Sequence, residues 1–336
     1  MGSVGAAVTT FLEQYQSGRT EFVGINLAGL NLVQADLIGV NLSRADLRRA
    51  SLMLAFLNRA QLNHANLVAA DLSGVNLSQA SLQAANLQDA ILHGANLQGA
   101  DLRSANLTLA NLQDVNLMDA DLRNASLEGA NLTGACLRGA NFRQERRHTS
   151  TNLRGANLRK ADLRSVDLTG VDLSKANLRK ANLQKANLRK VDCSGANLTY
   201  ANLQESLLTE ANLAQANLRK ANLSNANLER ASLTNTDLTN TQLQSALLAD
   251  AKLTQACLFQ ADLSFARLLR ADLSRANLYQ AILRATNLTD AFLARADLSQ
   301  ADLTDAILTK AEISAANFED AILLGTTMPD GLIYEV

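Results

Sequence analysis

The sequence predicts an all-β solenoid, in which very short strands wind into a stack of coils. An apolar residue, nearly always Leu, recurs at every fifth position from 22 to 142 and again from 153 to 323. Two positions earlier the residue is small, as at Ala35, and directly before the apolar centre it is mostly Asn or Asp. A period of five matches neither the 3.6 of an α-helix nor the simple alternation of a long strand. Each repeat is therefore interpreted as an inward–outward–inward strand followed by a two-residue turn.

The two residues after each apolar centre support this interpretation. They are mixed in type, and Gly recurs at the second of them, as at Gly29 and Gly39. Gly suits the positive φ that the second central residue of a type II turn requires. The frequent Asn and Asp favour turns and caps over helix interiors, which argues against a long α-helix.

The motif Ala-(Asp/Asn)-Leu-x-x, as in residues 35–37 and 216–218, resembles that of the pentapeptide repeat family. The resemblance implies a right-handed quadrilateral parallel β-helix with four repeats per coil and about 15 coils. The segments 11–18 and 327–331 are similar to cyanobacterial members of the family, which include a regulator of heterocyst differentiation. These members imply a regulatory role through contact with another protein.

The departures from the repeat divide the chain into five segments. These are an N-terminal helical cap at 1–19, repeats at 20–144, an interrupting loop at 145–150, repeats at 151–325 and a C-terminal cap at 326–336. Val8, Phe11, Leu12 and Tyr15 recur at helical spacing, and Gly18 follows as a stop signal. An amphipathic helix over 5–17 is therefore predicted to cover the first coil. The C-terminal segment either covers the last coil or pairs with a second copy, so the chain is expected to be a monomer or an end-to-end dimer.

The interruption between Phe142 and Leu153 has two interpretations. Its spacing is eleven residues, one more than two repeats, and 145–150 offers no Leu to the core. Burying its charges would be costly, so the segment is expected to project outward. It is either a loop that binds a partner, with Arg146 and Arg147 contributing, or a tolerated one-residue slip.

Composition and the scattered reactive residues argue against catalysis. The formal net charge is −1, so no overall field attracts nucleic acid. No stretch has the length of a membrane span, and no signal peptide is evident, so a cytoplasmic location is expected. The cysteines and histidines lie far apart in the sequence: Cys136, Cys193, Cys257, His64, His93 and His148. Because none has metal-site or catalytic spacing, we expect no cofactor, no metal and no enzymatic activity.

The 20-residue coil implied by the resemblance places every fourth repeat on one face. One such face passes from basic to aromatic side chains: Arg159, Lys160, Arg179, Lys180, Tyr200, Arg219, Lys220, Phe259 and Tyr279. Stacking like charges about 5 Å apart costs free energy, so stability alone would not select this series. It predicts recognition of an acidic protein surface or a phosphate backbone. The alternative is a solvated band that nearby Asp side chains neutralise.

A second candidate surface is apolar and lies near the N-terminus. Val33, Met53 and Leu54 are predicted to stack on one face, with Ile38 and Phe56 on the adjoining face. Clustered exposed apolar groups indicate a contact site. The alternative is that a loop or tail of the same chain covers them.

Together these features predict a non-enzymatic, regulatory scaffold for protein interactions. The alternative function is a DNA-mimicking inhibitor of gyrase, as in the quinolone-resistance branch of the family. DNA mimicry needs strongly negative faces, and the basic segment 146–190 argues against it. Direct binding of nucleic acid by this segment is disfavoured by the net charge, and it would be recognised by a steep dependence on salt.

Overall fold

The computed structural model describes residues 2–143 and 151–335. The chain comprises two compact units, Met1–Asp162 and Leu163–Val336, each of which is considered by itself. A single helix, α1, spans Gly2–Gln16. The repeats of both units follow one plan. The residue directly before each apolar centre forms a one-residue parallel β-bridge with the neighbouring coil. Outside α1, the described residues form only isolated bridges and no strand of two or more residues. Each strand that the sequence predicts is therefore a single paired residue.

The pairing register fixes the length of one coil. In the first unit Glu21 pairs with Asn41, and the next pairs along the chain begin at Asn26, Asn31 and Asp36, each with a partner 20 residues later. The second unit keeps the same 20-residue step. Four repeats therefore complete one coil, because four repeats separate Glu21 from its partner Asn41.

Leu and Ala fill the interior of both units. Leu47 and Ala45 are fully buried in the first unit, and Leu218 is fully buried in the second. The backbone N–H of Leu47 donates to the carbonyl of Asn66 at 2.8 Å, and this bond recurs from coil to coil. The inward residues thus supply the buried apolar surface that drives folding, while hydrogen bonds between coils satisfy the buried backbone.

The second residue of each turn has the positive φ that the repeat predicts. The value is +67° at Gly29, but it is also +56° at Leu54 and +61° at Tyr200. The outward Asn or Asp of the repeat helps to fix this turn. Asn217 Oδ1, for example, accepts a hydrogen bond from the backbone N–H of Arg219 at 3.1 Å. The recurring Asn and Asp are therefore turn-forming residues, and bulky side chains project from a backbone conformation that usually favours glycine.

The helix predicted over 5–17 is observed as α1. Phe11 of α1 is 3% exposed, and its ring meets that of Phe22 edge to face, with centroids 4.7 Å apart. The hydroxyl of Tyr15 donates to the backbone carbonyl of Ile38 at 2.8 Å. Phe22 and the next apolar centre, Leu27, are both buried.

The register changes once within the first unit. Asp121 pairs with Asn141, 20 residues later, whereas Ser126 pairs with Asn152, 26 residues later. Six residues are therefore inserted at this point, and the interpretation as a one-residue slip is wrong. The eleven-residue spacing is one ordinary repeat plus this insertion.

Regular structure resumes at Thr151, whose buried hydroxyl donates to the carbonyl of Leu122 at 2.9 Å. The predicted loop 145–150, with Arg146 and Arg147, lies outside the described residues. Its proposed role in binding stays a prediction.

The C-terminal segment folds back on itself. Thr327 and Ile333 form an antiparallel bridge, and the N–H of Gly325 donates to the carbonyl of Tyr334 at 2.8 Å. Leu332 is 68% exposed and Ile333 is 62% exposed. Whether this hairpin caps the coil or pairs with a second copy stays a prediction.

Candidate interaction surface

The turns bring residues that are 20 apart in sequence into vertical columns on the surface. In the second unit one column contains Lys180, Tyr200 and Lys220, which we call the basic column. The two lysine Nζ atoms lie 5.9 Å and 5.6 Å from the centre of the Tyr200 ring. Tyr200 is 45% exposed. Both ammonium groups can therefore interact with the ring.

The charge of the basic column is not neutralised by neighbouring carboxylates. Within the described residues, Lys180 and Lys220 form no ion pair, and neither does the adjacent Arg179. Arg219 differs, since its Nη1 lies 3.3 Å from Asp237 Oδ2. Of the Asp side chains expected to neutralise this face, one thus pairs with Arg219. Arg179, Lys180 and Lys220 are left available to another anion.

A second column of the same unit, two repeats further along each coil, shows the contrast. Its residues alternate in sign: Lys190, Glu210, Arg230, Asp250 and Arg270, which we call the alternating column. Arg230 Nη2 lies 3.0 Å from Glu210 Oε1, and Lys190 Nζ lies 3.6 Å from Glu210 Oε2. Arg230 also keeps the pKa of the Glu210 carboxyl below its ordinary value by hydrogen bonding, with Lys190 adding to the effect. The sequence interpretation missed this column, although the same 20-residue step applied two corners further along the coil would have revealed it.

Two aromatic side chains continue the face that carries the basic column. The rings of Phe259 and Tyr279 stack with centroids 5.8 Å apart and planes inclined by 12°. The Tyr279 hydroxyl donates to Gln300 Oε1 at 2.9 Å, and Gln280 Nε2 donates to the same oxygen at 2.9 Å. This aromatic pair is half-buried and held in place, which preorganises it for contact with another molecule.

In the first unit, Arg159 and Lys160 are exposed, as predicted. Lys160 lies at the second turn position, with a φ of +60°. Neither residue forms an ion pair with a described residue.

The apolar patch of the first unit comprises Val33, Ile38, Met53, Leu54 and Phe56. All five side chains are between 38% and 51% exposed. Successive coils bring Val33 and Met53 together, because the N–H of the residue after Val33 donates to the Met53 carbonyl at 2.8 Å. No described segment buries the patch, so the alternative of intramolecular cover is not supported within residues 8–143 and 151–335.

The residues weighed for catalysis are dispersed. Cys193 is buried in the core, and burial raises the pKa of its thiol, with Asp192 and Asp172 adding to the effect. His64 has a φ of +59° and occupies an ordinary turn position. Among the described residues, no cluster of His, Cys, Asp or Glu has the arrangement of a metal site. In the same part of the chain, no helix is both long and apolar enough to span a bilayer.

The 20-residue coil and the five-residue repeat are matched by a known family. The sequence profile described as pentapeptide repeats matches overlapping stretches that together cover residues 20–144 and 149–325. The chain belongs to the pentapeptide repeat family. As a pentapeptide repeat protein it is a right-handed β-helical solenoid, which agrees with the parallel bridges of both units.

Three solved structures illustrate the relationship. HetL, a pentapeptide repeat protein involved in heterocyst differentiation regulation in Nostoc sp. strain PCC 7120, is 30% identical over 96% of this chain and 98% of its own, with a TM-score of 0.22. Rfr23 from Cyanothece 51142 is 32% identical over 40% of this chain and 90% of its own, with a TM-score of 0.20. QnrB1, a plasmid-mediated fluoroquinolone resistance protein, is 17% identical over 58% of this chain and 85% of its own, with a TM-score of 0.34. A comparison with curated proteins found no match.

Proposed function

We propose that this pentapeptide repeat protein is a non-enzymatic, regulatory scaffold that binds the acidic surface of a protein partner through the basic column. The observation that carries the proposal is the unneutralised charge of Lys180 and Lys220 on either side of Tyr200. The alternating column shows that the same coil geometry pairs opposite charges readily. A column that keeps like charges together is therefore better explained by an external anion than by folding.

The face favours a protein partner over nucleic acid. Along the chain, the basic column is followed by Thr239 and Asn240 and then by the aromatic pair, so the positive charge is confined to a few residues. A phosphate backbone is recognised through many evenly spread cations, which the rest of this face does not offer. Exposed Tyr and Arg, with an aromatic pair nearby, are typical of protein interfaces.

The gyrase alternative requires a face that imitates the charge of DNA. In the second unit, the carboxylates Glu210 and Asp250 alternate with arginines and are ion-paired to them. Paired carboxylates present little net negative field. A DNA supercoiling assay tests this alternative directly, and inhibition of gyrase by the intact chain would favour it over the scaffold.

Several finer features belong to the same proposal. We infer that α1 caps the first coil, since Phe11 buries itself against Phe22. We also propose about 15 coils and a cytoplasmic location. The proposed state of the chain is either a monomer or an end-to-end dimer. The regulatory role follows the resemblance of segments 11–18 and 327–331 to cyanobacterial members.

The experiment that tests the scaffold is affinity purification from a nuclease-treated lysate of the source organism. The bait is the intact chain, the double variant Lys180→Glu/Lys220→Glu, or the control Arg275→Glu/Arg295→Glu, which changes the net charge equally at exposed sites. We expect a specific protein to be lost with the first variant and retained with the control. Equal recovery with all three baits would remove the basic column from the account.

A further inference from the structure

The apolar patch of the first unit is bordered by arginines that lack carboxylate partners. One coil presents four residues at the second turn position: Arg44, Arg49, Leu54 and Arg59. All four are exposed, and none of the three arginines forms an ion pair with a described residue. Arg59 donates only to the amide oxygen of Gln79, at 3.3 Å. One corner of this coil is thus apolar, and each adjoining corner carries a guanidinium with no carboxylate partner among the described residues.

The preceding coil does not neutralise Arg49 or Arg59. The residues 20 positions before Arg49 and Arg59 are Gly29 and Gly39, which have no side chain to offer. Where arginines of this chain are ion-paired, an Asp or Glu lies next to them, as with Arg270 and Asp250. The guanidinium groups of Arg49 and Arg59, at the corners beside Leu54, are therefore left for another molecule.

The apolar side chains at this corner are exposed on the surface of the coil. Leu54 has a φ of +56° and is 51% exposed, and its Cδ2 lies across Gly74, where an added Cβ would come within 2.7 Å. Phe56 is 48% exposed at a position that is usually Asn or Asp. Gly74 thus provides the space in which the leucine lies along the surface, next to the exposed phenylalanine.

We propose that the apolar patch binds an amphipathic protein segment whose apolar side chains are flanked by carboxylates. Leu54, Phe56 and Met53 would receive the apolar side chains, while Arg49 and Arg59 would pair with the carboxylates on either side. The proposal rests on the scaffold role but uses a surface of the first unit that is separate from the basic column. Loss of binding at one surface therefore leaves the other testable.

A membrane surface is the less favourable occupant. Asp36 is exposed. It lies within the patch, because it pairs with Phe56 in the neighbouring coil and precedes Ile38 by two residues. Inserting Phe56 into a bilayer would bring this carboxylate toward the hydrocarbon, which is costly. A polar group of a protein segment can instead hydrogen-bond to Asp36 while the apolar side chains are in contact.

The chain offers a closely matched control. Leu109 also has a positive φ, is 59% exposed and lies across a glycine, Gly129, in the same way as Leu54. The corners on either side of it carry Ser104 and Asp114 rather than arginine. Ile91, 41% exposed, occupies the same position in its repeat as Phe56. The variants Leu54→Asn/Phe56→Asn and Leu109→Asn/Ile91→Asn therefore remove equivalent apolar groups, in the first case with flanking arginines and in the second without them.

The test selects short random peptides displayed on phage against the immobilised full-length chain. We expect enriched peptides with two or more apolar residues flanked by Asp or Glu. Synthetic versions should bind Leu54→Asn/Phe56→Asn and Arg49→Glu/Arg59→Glu about tenfold more weakly, or worse, than the intact chain. The Leu109→Asn/Ile91→Asn control should bind them as the intact chain does, and circular dichroism should show all variants folded.

Three kinds of result would overturn the proposal. The first is a loss of specificity for the charged apolar patch, seen as enrichment of peptides without carboxylates or as equal weakening by the control variant. The second is patch-dependent sedimentation of the chain with vesicles of phosphatidylcholine and phosphatidylserine, which would identify a membrane surface. The third is a dimer in sedimentation velocity that dissociates in Leu54→Asn/Phe56→Asn, which would identify a second copy as the occupant.

Discussion

Asp250 accepts two hydrogen bonds from Arg270, which lies 20 residues later and therefore one coil away. The distances are 2.7 Å from Nε to Oδ1 and 2.8 Å from Nη2 to Oδ2. This hydrogen bonding keeps the pKa of the Asp250 carboxyl below its ordinary value. The pair shows how a five-residue repeat turns a sequence separation of 20 into a direct contact.

Reversing one charge of the alternating column should destabilise the second unit. In Arg270→Glu, a carboxylate would lie between Asp250 and Asp290, and like charges in adjacent coils repel. We expect a lower melting temperature at low salt, with partial recovery in the swapped variant Asp250→Arg/Arg270→Asp. The difference should shrink in 1 M salt, where charge interactions are screened within about 3 Å. An Arg270→Glu melting temperature equal to that of the intact chain would contradict the structural role of the column.

Stability should fall as the solution becomes acidic. Hydrogen bonds from Arg48 and Arg103 lower the pKa of Asp46 and Asp101, respectively, below the ordinary 3.8. A carboxyl whose pKa is lowered by folding contributes stability above its unfolded pKa, and this stability is lost as the pH falls through the folded value. Urea midpoints should therefore be nearly constant above about pH 5 and decrease below about pH 4. Asp46→Asn/Asp101→Asn should lower the midpoint at neutral pH and flatten the acid decrease, and a midpoint that rises on acidification would contradict this.

Removing the ring of Phe11 should loosen the first coil selectively. Burial of this ring against Phe22 suggests a loss of about 3 kcal/mol of local stability in Phe11→Ala. In a solenoid each coil contacts mainly its neighbours, so the effect should fade along the chain. Hydrogen exchange should accelerate at the N–H of Asn41, which donates to the Thr20 carbonyl, and remain unchanged at that of Asn96. Uniform acceleration throughout the first unit would contradict the local capping role of α1.

The Cys193 thiol should be protected until the chain unfolds. Its burial raises the thiol pKa, which leaves little thiolate to react. With a disulfide reagent at pH 8, the half-exposed Cys136 and Cys257 should react first, and Cys193 should react at the rate of unfolding. Mass spectrometry of the labelled peptides would distinguish them. Labelling of native Cys193 as fast as a free peptide would show that its coil opens readily.

The sequence predicts the repeating scaffold well because one apolar residue in five decides it. The recurrence that includes Leu218 indicates the inward face, and the helical spacing of Phe11 and Tyr15 indicates α1. The six-residue insertion was less evident, because a spacing of eleven residues does not say which ones remain paired. Only the bridge from Ser126 to Asn152 resolves this.

The surface is harder to predict, because its energetics depend on which long side chains meet. The 20-residue step places Lys180 and Lys220 in the same column as Tyr200, but it does not show that both ammonium groups lie close to the ring or that Arg219 pairs with Asp237. Likewise, the sequence does not show that the arginines at the corners beside Leu54 have no carboxylate partner among the described residues. That observation is what makes them candidates for binding another molecule. The apolar core follows from composition and period, whereas the candidate surfaces follow from side-chain geometry.

The most direct test of the central claim measures binding of a fluorescent, glutamate-rich peptide by anisotropy. The intact chain is compared with Lys180→Glu/Lys220→Glu and with Arg275→Glu/Arg295→Glu, which carry the same net charge as each other. The account predicts that affinity falls about tenfold or more only in the first variant, and that binding by the intact chain weakens with added salt. Equal loss in both variants would show that net charge alone attracts the peptide, and no loss in either would show that the basic column does not bind an acidic partner.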